Sequence, residues 1–191
     1  MKTSGNTPII IDAPAKLTLS LRVTGVREDG FHLIDAEMVS LDLADTLTIT
    51  PGGNGVSLDG PFGDGVATDS SNLVSRALSL TGRNAHVHIT KNIPSGGGLG
   101  GGSADAAAIL NWAGFTDLET ASRLGADVPF CMIGGRARVR GIGEAIDILP
   151  PVQRKITLVI PPFGVSTPAV YRAWDDLAKA GNNTTNDQND L

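Results

Sequence analysis

Residues 94–110 read PSGGGLGGGSADAAAIL, a loop almost without side chains that runs directly into an alanine-rich segment. Glycine allows backbone N–H groups to approach a ligand closely. The first N–H groups of a helix have no intrahelical partner, and the helix dipole places partial positive charge beside them. The stretch therefore predicts an anion site suited to nucleotide phosphates at a helix N-terminus, with Ser103 in the first turn as its cap.

Other kinds of glycine-rich segment fit these residues less well. A flexible linker has no need of Leu99 or of an abrupt helix start. A Walker A loop would close on Gly-Lys-Ser or Gly-Lys-Thr, which this loop does not do. A dinucleotide-binding fold needs a further strand that ends in an acidic residue, and Glu119 has the spacing, yet residues 114–119 do not resemble a buried strand. A phosphate loop of another class is the preferred interpretation, and the linker and the dinucleotide fold stay open beside it.

The bulk composition narrows the class of protein. The 191 residues are 41% hydrophobic and 18% charged, as in a globular chain of one domain or a little more. The net charge of −5 and the absence of a Lys/Arg run argue against a nucleic-acid partner. Apolar runs are far too short to span a bilayer, and no apolar segment follows Lys2. We therefore expect a soluble, cytoplasmic protein without membrane partners, and its oligomeric state stays open.

Cysteine and histidine give little sign of a metal or redox site. Cys131 is the single cysteine, which excludes an internal disulfide framework, and its apolar neighbours indicate a buried structural thiol. His32, His86 and His88 show no standard metal-ligand spacing, which favours structural or solvated roles for His86 and His88. No residue is predicted to be a metal ligand.

The hydrophobic pattern predicts an α+β chain, with strands dominating the first 60 residues and helices appearing later. Pro14 is expected just before the first strand. The predicted strands or extended segments are 17–23, 31–43, 45–50, 85–90, 128–133, 136–140, 145–149 and 156–160, and the predicted helices are 72–80, 104–110, 119–124 and 169–180. Residues 161–168 are predicted to form a rigid loop, and 181–191 are polar and rich in turn-forming residues.

Three separated motifs together resemble the GHMP kinase superfamily. They are PAKLTL at 14–19, the glycine loop at 94–108, and LGADVPF at 124–130. DGFH at 29–32 and PPFGVST at 161–167 favour the branch whose alcohol substrate carries a cytidine diphosphate group and serves isoprenoid biosynthesis. The resemblance runs from about residue 10 to residue 174, and the set of motifs is highly specific.

This resemblance implies both the fold and the domain division. The fold is expected to be α+β, with a GHMP kinase N-terminal domain of the ribosomal protein S5 domain 2-like type. Residues 1–152 would form this ATP-binding domain. Residues 153–191 would be only the start of a ferredoxin-like C-terminal domain. The chain is accordingly expected to be a fragment or truncated product that self-associates, expresses poorly and turns over slowly.

The resemblance also assigns the chemistry. Asp127 would be the general base that accepts the proton of the attacking hydroxyl. Lys16 would lie beside it, orient that hydroxyl and favour the charged carboxylate. From sequence alone, Asp127 would be a helix cap or turn residue, and Lys16 a surface lysine on a strand.

ATP and Mg²⁺ are the expected cofactors, and a small alcohol is the expected substrate. ATP would be bound by the whole loop, namely Pro94, Ser95, Gly96, Gly97, Gly98, Leu99, Gly100, Gly101, Gly102, Ser103 and Ala104. The substrate would contact Thr18, Phe31, His32 and Tyr171, with aromatic faces stacking on cytosine. Without the resemblance, Phe31 would start a hydrophobic strand, His32 would be exposed and Tyr171 would face the core.

Three departures from the superfamily pattern affect these assignments. Thr18 stands where an asparagine is usual, so a hydroxyl would replace an amide toward the substrate. Ala104 stands where a second serine is usual, which removes one side-chain contact to phosphate or Mg²⁺. The segment between Leu110 and Leu124 is short. A nucleotide-binding remnant without turnover is therefore a second hypothesis beside the active small-molecule kinase.

Overall fold

The computed structural model describes residues 7–160, 164–180 and 189–191. Within them, strands and helices follow one another in an α+β order. The strands are β1 (Ile9–Val26), β2 (His32–Pro51), β3 (Val56–Asp59), β4 (Ala85–Thr90), β5 (Arg136–Gly141) and β6 (Ala145–Ile148). The helices are α1 (Leu73–Thr81), α2 (Gly101–Trp112), α3 (Leu118–Ser122), α4 (Val128–Ile133) and α5 (Thr167–Lys179).

The long strand β2 organises the sheet, whose order is β3-β4-β2-β5-β6 with β1 also paired to β2. β1 runs antiparallel along most of β2. On its other side β2 pairs with β5 through residues 34–39 and with β4 through residues 46–51. Residues 40–45 lie between these two pairings. There the segment that follows β4 contacts β2, because the Asn92 side chain donates to the Ala44 carbonyl at 3.0 Å.

The helices cover one face of this sheet and bury the main core. In β4 the burial alternates, so that Ala85, Val87 and Ile89 face the core while His86 and His88 lie on the opposite face. These core residues belong to one cluster with the buried side chains of α1 and α2. Seven consecutive residues of α2, from 104 to 110, are buried. Their small alanine side chains let α2 lie close to the sheet and to its neighbouring helices.

A second apolar cluster joins α4 to the other half of the sheet. Phe130 of α4 is fully buried against Leu21, Ile34, Met38 and Val139. This packing fixes α4 over β1, β2 and β5, and it thereby determines where the residue preceding α4 lies.

Most of the predicted elements are confirmed, with changes at their ends. The strand at 85–90, the hairpin at 136–149 and the helices near 73–81, 118–122 and 167–179 are all present. The extended segments at 31–43 and 45–50 form one continuous strand, β2. Pro14 lies inside β1 rather than before it. A β-bulge between Pro14 and Lys16 accommodates it. At Pro14, β2 is the only strand among the described residues that pairs with β1, so the missing N–H is tolerated.

The prediction of a strand at residues 128–133 is wrong, because these residues form the helix α4. Six consecutive apolar residues cannot distinguish a strand from a buried helix by periodicity. Pro129 lies in the first turn of α4, where a proline needs no hydrogen-bond donor. The helix ends at Gly134, whose φ is +69°.

The prediction of a buried strand at residues 156–160 is also wrong. These residues have no regular secondary structure and pair with no strand among the described residues. Val159 is 88% exposed and Ile160 is 53% exposed. Only Leu158 packs partly against a core cluster. An apolar segment is buried only where another part of the protein packs against it. No strand among the described residues covers these side chains.

One element was missed by sequence reasoning, the four-residue strand β3. It runs parallel to β4 at the edge of the sheet. Its alternation is too short to separate it from the turn residues on either side. Parts of the predicted rigid loop at 161–168 and of the polar segment at 181–191, namely residues 161–163 and 181–188, lie outside the described residues. No helix among the described residues is long and apolar enough to cross a membrane.

Candidate active site

The glycine loop is held at the sheet by one side chain and one backbone hydrogen bond. Leu99 is buried in a small cluster with Ala15 and Ile93. Its carbonyl accepts a 2.9 Å hydrogen bond from the Lys16 amide of β1. Leu99 thus anchors the middle of the loop to β1.

The helix after the loop begins as predicted, but its cap is different. α2 starts at Gly101, and Ser103 lies in its first turn. Gly100, not Ser103, is the N-cap, with φ +68°, and its carbonyl accepts the Ala104 amide at 2.8 Å. No side chain among the described residues caps the helix. The free N–H groups at the start of α2 therefore remain available to a ligand.

Lys16 and Asp127 meet beside this loop. Lys16 lies on β1, directly after the β-bulge, and Asp127 is the residue that precedes α4. The distance from Lys16 Nζ to Asp127 Oδ2 is 3.1 Å. The two side chains keep 10% and 27% of their surface exposed. An ammonium and a carboxylate are therefore paired at the edge of an open space.

That open space is a cavity of about 820 Å³ that joins the loop to the ion pair. From the predicted nucleotide-binding set, residues 94–103 line it, together with Lys16 and Asp127. Ala104 does not line the cavity, because its side chain is buried in the main core. A volume of this size suits a nucleotide or another small molecule with several polar groups.

Comparison with known proteins identifies this arrangement. Residues 71–135, which hold α1, β4, the glycine loop and Asp127, match the family described as GHMP kinases N terminal domain. The fold is accordingly that of a GHMP kinase N-terminal domain. The matched region includes every predicted phosphate-binding residue.

Individual relatives match a longer part of the chain than the family model does. The chain is 49% identical over 166 residues to 4-diphosphocytidyl-2-C-methyl-D-erythritol kinase from Paracoccus denitrificans, covering 84% of this chain and 59% of the relative. It is 43% identical over 171 residues to the kinase of the same name from Ruegeria pomeroyi, covering 84% and 61%. The chain thus spans about three fifths of the length of these relatives.

A solved structure agrees with these sequence matches. The crystal structure of a 4-(cytidine 5'-diphospho)-2C-methyl-D-erythritol kinase superposes with a TM-score of 0.64 at 36% identity, covering 86% of this chain and 64% of that one. A galactokinase from Lactococcus lactis, at 11% identity and a TM-score of 0.55, shares the fold.

The four predicted substrate residues belong to the wall of the same cavity. Thr18, Phe31, His32 and Tyr171 all line it. Thr18 Oγ1 accepts a 3.3 Å hydrogen bond from Lys16 Nζ. Phe31 is 57% exposed, so its face is open to a ligand.

His32 joins α5 to β2. Its ring lies 4.6 Å from the Tyr171 ring, centroid to centroid, and its Nε2 is 2.7 Å from Asp175 Oδ1. The edge of the imidazole is therefore engaged with α5 in this structure. Its role in reading a nucleobase edge stays a prediction, as does the division of the chain into two domains at residues 152 and 153.

Sequence reasoning missed three charged residues beneath the loop. Asp45, Lys91 and Asp105 are buried. Lys91 Nζ donates to Asp45 Oδ2 and, at 2.7 Å, to Asp105 Oδ2. Lys91 stands directly before the loop motif, and Asp105 is a lone acid among buried alanines. A charged residue beside the loop motif or within an apolar run is the sequence signal that could have identified Lys91 and Asp105.

Burial and charge shift several ionisable groups around the cavity. Burial raises the pKa of Asp105 to about 7, although the Lys91 ammonium opposes this change. Burial also raises the pKa of the Cys131 thiol to about 12, and the Asp127 charge adds to the effect. The pKa of Tyr171 is raised by burial and then by Asp127. Asp105 and Tyr171, which both line the cavity, therefore favour their neutral forms more strongly than the free side chains do.

The described residues hold no cluster of three or more His, Cys, Asp or Glu side chains that could bind a metal ion. His86 and His88 both lie within hydrogen-bond distance of Ser57 Oγ, on the sheet face opposite the helices. Mg²⁺ does not require such a cluster, because it often binds through substrate phosphates, water and one or two protein oxygens. Ser103 supplies a hydroxyl on the cavity wall, so the residues present are compatible with a nucleotide-bound Mg²⁺.

Proposed function

We propose that this chain provides the nucleotide-binding part and the reacting pair of a small-molecule kinase. The proposed reaction transfers the γ-phosphoryl group of ATP to the hydroxyl at position 2 of 4-diphosphocytidyl-2-C-methyl-D-erythritol. The products would be the 2-phosphate and ADP. We take the substrate from the names of the relatives and infer the type of reaction from the geometry of the site. Because ATP is the phosphoryl donor, we place the reaction in the cytoplasm.

The observation that carries this proposal is the ion pair between Lys16 and Asp127 on the wall of the glycine-loop cavity. Phosphoryl transfer needs an acceptor hydroxyl and a phosphate held in line. A carboxylate beside a phosphate loop supports such an arrangement, because one cavity can then hold both reactants. The 3.1 Å separation lets a single hydroxyl contact Lys16 and Asp127 together.

Asp127 would act as the general base in this reaction. Its carboxylate accepts the proton of the substrate hydroxyl as the hydroxyl oxygen attacks the γ-phosphorus. Lys16 would orient the same oxygen and offset negative charge that develops as the bond to phosphorus forms. Thr18, which already accepts a hydrogen bond from Lys16, would fix the direction of the ammonium.

The loop would hold the triphosphate through backbone N–H groups of residues 96–103 and the positive end of α2. Mg²⁺, when bound with ATP, would neutralise charge on the phosphates, and Ser103 is the hydroxyl that would reach toward it. Phe31, His32 and Tyr171 would contact the cytosine end of the acceptor, where an aromatic face can stack on the base. The remaining loop residues would shape the cavity.

A transfer assay combined with a binding measurement tests this proposal. The chain is incubated with Mg²⁺, ATP and 4-diphosphocytidyl-2-C-methyl-D-erythritol, and ³¹P NMR follows the appearance of ADP and a phosphomonoester. Calorimetry measures ATP affinity in parallel. We expect a new phosphomonoester that requires all three components. Hydrolysis of ATP without acceptor phosphorylation would contradict the assigned substrate.

A second candidate is a nucleotide-binding protein without turnover. The observation that favours it is Ala104, which is buried in the main core and leaves the loop without the second hydroxyl that is usual at this position. In that case ATP binds and no phosphomonoester forms. Measuring both quantities on the same sample distinguishes the two functions.

A further inference from the structure

Three charged side chains lie beneath the glycine loop and are almost completely removed from solvent. Asp45, Lys91 and Asp105 are 0%, 3% and 3% exposed. Lys91 Nζ bridges the two carboxylates. One oxygen of Asp105, Oδ1, is buried with no hydrogen-bond partner among the described residues. The group therefore carries one cation, two acids and an unsatisfied acceptor.

Stability alone does not explain such a group. Removing charges from water is costly, and replacing a buried ion network by apolar side chains is often neutral or stabilising. An unpartnered buried oxygen adds a further penalty. A network that is expensive to bury needs another reason for its presence, and its position in the fold indicates one.

The network contacts the chain on both sides of the loop. Asp45 Oδ1 accepts hydrogen bonds from the amides of Asn92 at 2.6 Å and Ile93 at 2.8 Å, immediately before the loop. Asp105 lies in α2, immediately after it. Lys91 connects the two acids. Its Nζ also lies 3.3 Å from the point where a Cβ on Gly101 would be.

We propose that Asp105 is a positioning residue for the glycine loop. Through Lys91 and Asp45 it ties the first turns of α2 to the segment that leads into the loop, and so fixes the separation of the two loop ends. This inference rests on the proposed nucleotide-binding function only for its purpose, which is to hold the phosphate-binding amides in place before ATP arrives. Asp105 itself need not touch the nucleotide.

The test compares Asp105→Ala, which removes the tie, with Asp105→Asn, which keeps the shape and the acceptor for Lys91. Two variants are matched controls. Asp147→Asn removes a carboxylate of β6 that forms an exposed ion pair with Arg140 of β5. Val139→Ala destabilises the other core cluster without touching the network. Amide hydrogen exchange is followed at Lys16 and Ala104, whose N–H groups bond the loop carbonyls of Leu99 and Gly100.

We expect exchange at these two amides to be about tenfold faster in Asp105→Ala than in Val139→Ala. Asp105→Asn should exchange as the wild type does. ATP affinity should fall about tenfold in Asp105→Ala and stay near that of the wild type in Asp105→Asn.

Unchanged exchange at Lys16 and Ala104 in Asp105→Ala would overturn the positioning role, whether or not the protein binds ATP. If the wild type fails to bind ATP while Asp105→Ala still loosens the loop, the proposed function fails and the positioning role stands.

Discussion

Lys16 and Asp127 form the point where the chemistry of this site would begin. Neither side chain has another charged partner among the described residues at ion-pair distance. Their pairing leaves both open to the cavity on one side. A hydroxyl that enters the cavity can therefore contact both groups without displacing a competing salt bridge.

Replacing Asp127 with Asn should abolish the base and keep the shape of the site. We expect phosphoryl transfer to fall by at least about 10²-fold, the usual contribution of a general base. ATP affinity should stay near that of the wild type, because the loop amides are unchanged. Rates by ³¹P NMR and affinities by calorimetry measure the two effects.

Asp176→Asn is the matched control for this substitution, since Asp176 forms only an exposed contact with Lys179. It should leave both the rate and the affinity unchanged. Equal losses in the two variants, or an Asp127→Asn variant with wild-type transfer, would contradict the assigned role of Asp127.

Cys131 offers a separate test of how tightly α4 packs against the core. Burial raises the pKa of its thiol to about 12, so at pH 8 only about one molecule in ten thousand carries the reactive thiolate. We expect iodoacetamide to modify the native protein very slowly and the urea-unfolded protein rapidly. Mass spectrometry gives both rates without ambiguity, because the chain has a single cysteine. Rapid modification of the native protein would show that the thiol is solvated.

Asp45, Lys91 and Asp105 illustrate why sequence reasoning found only part of the site. Acids and lysines on strands and helices are usually exposed, and their own alternation patterns gave no reason to connect them. Their burial depends on contacts between β2, the end of β4 and α2. Lys16 and Asp127, by contrast, belong to short motifs, so resemblance could identify them as candidates.

The glycine loop and the start of α2 contain a matched pair of glycines. Gly98 and Gly100 both have φ +68°. A Cβ on Gly98 would meet nothing within 4 Å, whereas a Cβ on Gly100 would lie 2.8 Å from Lys16 Cγ. The same substitution at these two positions therefore separates backbone strain from a direct effect on Lys16.

Gly98→Ala and Gly100→Ala should each lower the free energy of unfolding by about 1–2 kcal/mol, the cost of a left-handed alanine. Only Gly100→Ala should also push Lys16 away from Asp127 and reduce phosphoryl transfer more than ATP affinity. Urea unfolding, calorimetry and transfer rates measure these three quantities. A Gly98→Ala variant with the larger transfer defect would show that the clash with Lys16 is unimportant.

The apolar segments show where pattern alone reaches its limit. Residues 85–90 alternate strictly, and they form the predicted strand. Residues 128–133 are apolar throughout, which fits a buried helix as well as a strand, and tertiary packing of Phe130 favours the helix. Residues 156–160 are apolar apart from Thr157, but they pair with no strand among the described residues. The spacing of apolar residues can predict whether a segment is a strand or a helix. Whether a continuous apolar segment is buried depends on another element that packs against it.

The molecule as a whole presents apolar side chains at the end of β6 and in the segment that follows it. Ile148, Val152, Val159 and Ile160 are all exposed. Exposed apolar side chains that lie near one another along the chain favour association. We therefore expect the sedimentation coefficient of the chain to rise with protein concentration.

Val159→Asp should reduce this association by placing a charge at the most exposed of the four residues. Thr157→Asp is the matched control, because Thr157 is exposed on the same segment and the substitution adds the same charge. Sedimentation velocity over a range of concentrations measures the difference. A wild-type chain that stays monomeric throughout, or equal effects of the two substitutions, would contradict a role for the exposed apolar side chains.

The central position of β2 has a consequence for the order in which the molecule folds. Its pairing with β1 closes a short connection. Its contact with β5 is long-range, because an ion pair between the two strands joins Glu37 to Arg136, 99 positions away. Long-range contacts are slow to form, because chain entropy is lost before they stabilise the structure. We expect the β1–β2 hairpin, which carries Lys16, to appear early. Asp127 arrives only when α4 and β5 dock, so the reacting pair is completed among the last steps of folding.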